Sequence, residues 1–361
     1  MYIKSSKFNV RKGSMVKPKS EPRPRPNPKP PVTKITPRRG RGRPPHHDIL
    51  FISSTFCSRA LKEYLHLRDK GFDIMVAHSC TKNPLLSYVQ HHVHYPYTST
   101  SITKLIQTYK PRVVHGHNSP NSHIAWARKG FNGKIVFDIH DVRKPHHQAA
   151  VKAADCIYTV HDDYIKFINQ RMGSTEKPMY AVPSIYFIKD FKPIPKLSMD
   201  GETHLCFIGS MYSPQTANLW SKMFKEMANR LKIHIHVHTN FFKHIVSEYA
   251  DGNLHAEDPI SFMDIPRTLS RYDAGFIPSG TATSLPNKFF DYINAGIPVI
   301  ADSRRSTVSN ITREEGFGIV VDKMENLNKK NLNGIKDMKI DMNKIKFTKP
   351  YETPPYKGLI K

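Results

Sequence analysis

The sequence is poor in cysteine, poor in acid over one region, and without long apolar runs. Its four cysteines, Cys57, Cys80, Cys156 and Cys206, are scattered and form no Cys-x-x-Cys pair. That argues against a disulfide framework and predicts free thiols in a reducing compartment. No apolar stretch is long enough to span a bilayer. Residues 1–19 lack the apolar segment of a secretory signal. A cytoplasmic location is therefore expected. Acid is nearly missing from residues 1–46, which hold 14 of the 55 lysines and arginines and 10 of the 28 prolines, but one acid, Glu21. About half of the +25 net charge thus sits in a segment that cannot bury a core. A disordered basic tail is expected there, suited to a polyanionic partner: nucleic acid, an anionic membrane surface or an anionic polymer.

What remains is long enough for two domains. From His47 short apolar runs alternate with helical patterns. Strands are predicted at 48–53, 73–78, 113–117, 134–140 and 156–160, with helices near 58–68, 101–109, 121–129 and 146–154 and from Asp162. Residues 183–203 read as a connector. A second alternation follows, with strands at 204–210, 234–238, 253–255, 274–278, 298–302 and 317–321, and helices near 216–231, 260–270, 286–294 and 306–314. Strands separated by helices predict parallel sheets with crossovers. The expected fold class is α/β, with two Rossmann-like domains at 47–190 and 191–330 and a weakly structured extension at 331–361.

Ligands of open parallel sheets bind at the carboxyl ends of strands. Gly209 and Ser210 end the first strand of the second unit, where a glycine lets backbone N–H groups approach a phosphate. After the strand ending at Pro278, a small-residue loop with Thr283 and Ser284 leads into a helix starting near Asn287. Lys288 and Asp291 stand on one face of that helix at i,i+3 spacing. The cation and the helix N-terminus favour a phosphate, and the carboxylate can accept from a ribose diol. Read singly, these pieces favour a surface ion pair and an ordinary helix stop.

The whole segment PNKFFDYINAGIPVIAD resembles the signature of GT-B glycosyltransferases, in which a P-x-K-x-x-E-type helix leads into A-x-G-x-P-V-I-A. VVHGHNSPNSHIAWARKGFNGKIVFDIHD resembles the family's first-domain stretch. AADCIYTVHDDYIKFI and CFIGSMYSPQTANLWSKMFKEM lie in the expected order, so the resemblance spans about residues 48–322. It implies two facing domains and a nucleotide-sugar donor, UDP- or GDP-linked, with no metal and no other cofactor. It implies Lys288 on the donor diphosphate, Asp291 on the ribose, and Gly209, Ser210, Thr283, Ser284 and Asn287 around them. His117, His140 and Asp141 become the catalytic candidates, as acceptor-side or sugar contacts. Two departures stand out. Thr283 occupies the place of the first of two glutamates carried by many retaining members, and residues 210–218 contain neither the Arg nor the Lys expected there.

Two further patterns carry their own expectations. His234, His236 and His238 share one face of a strand; with no carboxylate or cysteine beside them in the sequence, a solvated or packed face is expected rather than a metal site. His91, His92, His94, His146 and His147 read as loop residues. In the tail, Arg39 precedes Arg41-Gly42-Arg43-Pro44, which resembles the core of an AT-hook that lies in the A·T-rich minor groove. The activity implied is glycosyl transfer to a surface or secondary glycan or to a modified DNA base. The alternative is a DNA-binding protein with an inactive transferase fold.

Overall fold

The computed structural model describes residues 46–359 apart from 118–120, 141–146, 174, 212, 279 and 346. The expectations for the basic tail, including Arg39, Arg41, Gly42, Arg43 and Pro44, lie outside the described residues. So does Asp141.

Two parallel sheets carry the fold. The first contains β1 (Ile49–Ser53), β2 (Ile74–His78), β3 (His92–His94), β4 (Val113–His117), β5 (Lys134–Asp138), β6 (Cys156–Thr159) and β7 (Met179–Ala181), in the order β3-β2-β1-β4-β5-β6-β7. The second contains β8 (His204–Ile208), β9 (His234–His238), β10 (Leu254–Glu257), β11 (Ala274–Ile277), β12 (Val299–Asp302) and β13 (Gly318–Val321), in the order β10-β9-β8-β11-β12-β13. Each order reverses beside its first strand. The switch points between β1 and β4 and between β8 and β11 are where such sheets hold ligands.

The strands are apolar because helices cover both faces. Alternate residues of β1 serve opposite cores: Leu50 and Ile52 face one, Ile49 and Phe51 the other. The predicted strands and helices are present with ends shifted by a few residues. Three elements were not anticipated: β3, which takes up His92 and His94; β7; and the helix Lys243–Tyr249. Both strands are only three residues long; β3 exposes its two histidines, and β7 lies in an apolar run too short to stand out.

The C-terminal extension differs from expectation. It is ordered through a string of short helical turns and returns to the first domain. Tyr356, on the helix Pro354–Lys357, is buried, and its hydroxyl lies 2.5 Å from His115 Nδ1. The Tyr158 hydroxyl donates to the Pro350 carbonyl and also bonds the Thr353 hydroxyl. The segment thus starts on the core of the second domain, with Leu332 and Ile335, and ends in that of the first, with Tyr356.

Candidate functional site

The second domain supplies a cationic pocket at its switch point. Gly209 follows β8 with φ +141°, a conformation that favours glycine. A Cβ there would fall 2.9 Å from Lys288 Nζ, so a side chain at this position would force the lysine tip to shift. Lys288 lies in the first turn of the helix Asn287–Asn294, with its ammonium 3.7 Å from the Phe207 ring centre. Burial, then the neighbouring Arg305 charge, push its pKa well below the usual lysine range, against the pull of Asp291. Ser210 is half-buried beside Gly209.

A second cation, Arg305, follows β12 and turns to the loop after β11. Its Nε donates to the Pro278 carbonyl at 2.8 Å and its Nη1 to Ser284 Oγ at 2.6 Å. A Cβ on Gly280 would lie 1.9 Å from Arg305 Nη2, so a side chain here too would force the cation to shift. Thr283 Oγ1 is buried and without a hydrogen-bond partner. The loop before the helix Asn287–Asn294 thus carries a buried hydroxyl, with Lys288 in the helix it leads into and Arg305 bonded to Ser284.

The first domain reaches into this pocket with the helix Ser58–Asp69. Ser58 Oγ accepts from Asn287 Nδ2 at 2.8 Å, and the Ser184 hydroxyl donates to Asn287 Oδ1. Lys62 Nζ lies 2.8 Å from Asp291 Oδ1 and also donates to the Ser184 carbonyl. Asp291 is therefore shared with a cation from the other domain.

Behind these contacts lies a buried charged cluster. Arg59 makes a bidentate pair with Asp138: Nε lies 3.0 and 2.9 Å from its two oxygens and Nη2 2.5 Å from Oδ2. Nη2 also lies 2.9 Å from Glu63 Oε1. Glu63 Oε2 faces His115 Nε2 at 3.1 Å and His117 Nε2 at 3.6 Å. One guanidinium cannot neutralise two buried carboxylates. Burial would raise Asp138, but Arg59 first, then His117 and His140, hold it well below the carboxylate range. Glu63 is left to protonate, pushed up to about 8 by burial against the opposing charges of Arg59 and His117. Burial lowers His115 to about 3 and also lowers His117.

His140 is the edge of this cluster that remains half-exposed. Its Nδ1 lies 2.5 Å from Asp138 Oδ1, and its Nε2 lies 3.6 Å from Cys57 Sγ. Burial would lower it, but the Cys57 charge first, with Asp138, raises it to about 10. Cys57 caps the N-terminus of the helix Ser58–Asp69. Burial would raise the thiol, and His140 together with the Ala60 N–H brings it below its usual value. Cys57 and Asp138 together thus favour the charged form of His140. His117 is fully enclosed in the cluster and does not line the cleft.

The structure thus brings together Gly209, Thr283, Ser284, Asn287, Lys288 and Asp291, with His140 on the cluster of the opposite domain. Sequence reasoning missed Arg59, Lys62, Glu63, Asp138, Cys57 and Arg305. Arg305 had a usable signal, since it follows β12 at a strand carboxyl end.

No family profile matches the sequence, and no curated protein matches it. Solved structures do match. A glycosyltransferase from Rickettsia africae ESF-5 aligns with TM-score 0.60 at 12% identity, over 81% of this chain and 87% of that one. A glycosyltransferase involved in avilamycin A biosynthesis aligns with TM-score 0.52 at 11% identity, over 82% and 90%. The likeness shows the fold: the chain has the two-domain GT-B architecture.

Proposed function

We propose that the chain transfers a glycosyl group from a nucleoside-diphosphate sugar to an acceptor. One observation carries this: two cations, the buried Lys288 and the half-buried Arg305, stand beside the loop that follows β11, each close against a glycine. Breaking the bond from the anomeric carbon to the phosphate oxygen leaves negative charge on the diphosphate. Fixed cations in a water-poor pocket stabilise that charge without reorganising. Lys288, Arg305 and the N-terminus of the helix Asn287–Asn294 take this role, Asp291 takes the ribose, and the charged His140 faces the sugar. The fold likeness agrees with this reading. An inactive remnant would have little reason to keep a buried lysine whose charge is disfavoured.

Desolvation gives the test a specific signature. A diphosphate favours the charged form of Lys288, which burial holds well below its usual range, so proton exchange on donor binding runs toward uptake. Calorimetric titration of UDP and GDP sugars should give an enthalpy that changes with the buffer's ionisation heat. Mass spectrometry with glycan and DNA acceptors then identifies the product. Failure of every nucleoside-diphosphate sugar to bind would overturn the proposal.

For the acceptor, we infer that the basic residues 1–46 hold a polyanion, with A·T-rich duplex as the form favoured by Arg41-Gly42-Arg43-Pro44. Binding should fall with salt at a log–log slope of about −0.9 per phosphate contacted. Replacing Arg41 and Arg43 should erase any preference over G·C-rich duplex. Equal DNA binding by full-length and tail-deleted protein would remove this inference and leave a glycan acceptor.

A further inference from the structure

The histidines of β9 do not stand on an ordinary sheet face. Contrary to the expectation from sequence, carboxylates meet them from two other segments. Asp200 ends the helical turn Leu197–Asp200 in the connector, and Glu202 follows it. Asp200 Oδ2 lies 2.9 Å from His204 Nε2, and Glu202 Oε2 lies 2.5 Å from His234 Nε2. His204 and His234 open the neighbouring strands β8 and β9, and their rings stack at 4.6 Å, 15° from parallel. Asp200, His204 and His234 can each offer a ligand atom within 4.8 Å of the others.

The inner ring nitrogens are already committed. His204 Nδ1 lies 3.0 Å from His236 Nε2, and His236 Nδ1 lies 2.7 Å from Glu257 Oε1. His234 Nδ1 lies 2.9 Å from His255 Nε2. Each outer nitrogen faces a carboxylate of the connector, so two imidazoles and two carboxylates meet at one edge of the sheet. Inner nitrogens held by further side chains, with outer nitrogens turned toward one point, are the outer-shell arrangement of histidine metal sites.

We propose that Asp200, His204 and His234, with Glu202 as fourth ligand, bind one zinc ion. Two imidazoles and two carboxylates suit a borderline divalent ion better than magnesium or calcium. Tetrahedral bonds of about 2.0–2.1 Å bring the donors to roughly 3.4 Å separation, which the exposed Asp200 and Glu202 reach by side-chain rotation. The site lies at the amino ends of β8 and β9, at the opposite end of the sheet from Lys288. Its role is structural: it fastens the connector between the two domains to the second sheet.

The full chain, stripped by chelation, should bind zinc chloride at one tight equivalent and show a raised Tm. Cobalt(II) should give the visible absorption of a tetrahedral ion, and excess magnesium should not compete. D200N/E202Q alters exposed residues and should fold normally by circular dichroism. It should lose at least about a hundred-fold in zinc affinity and the zinc-dependent rise in Tm. His234→Ala should do the same. Zinc binding of equal strength in wild type and D200N/E202Q would place the metal elsewhere and overturn the site. A wild-type chain that takes up no tight equivalent would overturn it equally.

Discussion

Replacing Lys288 with methionine is expected to lower kcat/KM for the donor by about a hundred- to a thousand-fold, the usual cost of removing one fixed donor to a developing anion. Methionine keeps the stem's packing on Phe207, which the ammonium approaches to 3.7 Å. Fold stability should hardly suffer. The folded pKa of Lys288 is depressed, so between that value and the ordinary lysine value the unfolded chain binds more protons. The charge therefore opposes folding, and its penalty fades as pH rises toward 10.5. Removing it should leave Tm within a few degrees or raise it. The loss of affinity should concern diphosphates and spare the nucleoside. A large fall in Tm with unchanged kcat/KM would make Lys288 a structural residue and move the donor phosphate elsewhere.

Lys288 drew notice in the sequence only through the whole segment around it, a strand end, a small-residue loop and a helix leading into Ala-Gly-Ile-Pro; read singly, its pieces and Gly209 describe ordinary turns. The two sheets were legible because parallel strands buried on both faces leave contiguous apolar runs such as Ile49–Ser53. Arg59, Lys62 and Glu63 escaped because their pattern inside the helix Ser58–Asp69 is that of a solvated face. Their partners arrive from far along the chain: Asp138 is 79 residues from Arg59, and Asp291 is 229 from Lys62. The carboxylates around His234 and His236 were hidden for a related reason. Glu257 lies on a different strand, and Asp200 and Glu202 lie in a connector whose return onto the sheet has no local signature. The C-terminal extension was misjudged because Tyr356 finds its apolar surroundings only in the first domain.

Removing the Asp138 carboxylate should have the largest effect on stability. Asp138→Asn leaves the Arg59 guanidinium buried with half its partners, and breaking such a pair costs about 3–5 kcal/mol. Glu63 offers partial rescue. It stands 2.9 Å from the same guanidinium, and its pKa of about 8 is held up by burial and then by Asp138. Without Asp138 it ionises and takes over the pairing. The single variant should therefore fall toward the lower end of that range, a Tm loss on the order of 10 °C. Glu63→Gln alone should be close to neutral, because the group is already protonated at pH 7. Together the two should cost more than their sum, since no carboxylate then remains beside Arg59. The pH dependence follows from the partners. Asp138 contributes above its unfolded value of 3.8. His140, raised from 6.5 to about 10, contributes fully below 6.5 and loses that contribution as pH climbs to about 10. The gap between wild type and Asp138→Asn should therefore be widest between about pH 4 and 6.5 and narrow toward pH 10. Denaturant titrations of the four proteins across that range decide the matter. Additive losses, or a gap that widens with pH, would mean that Asp138 neither shares Arg59 with Glu63 nor holds His140 in its charged form.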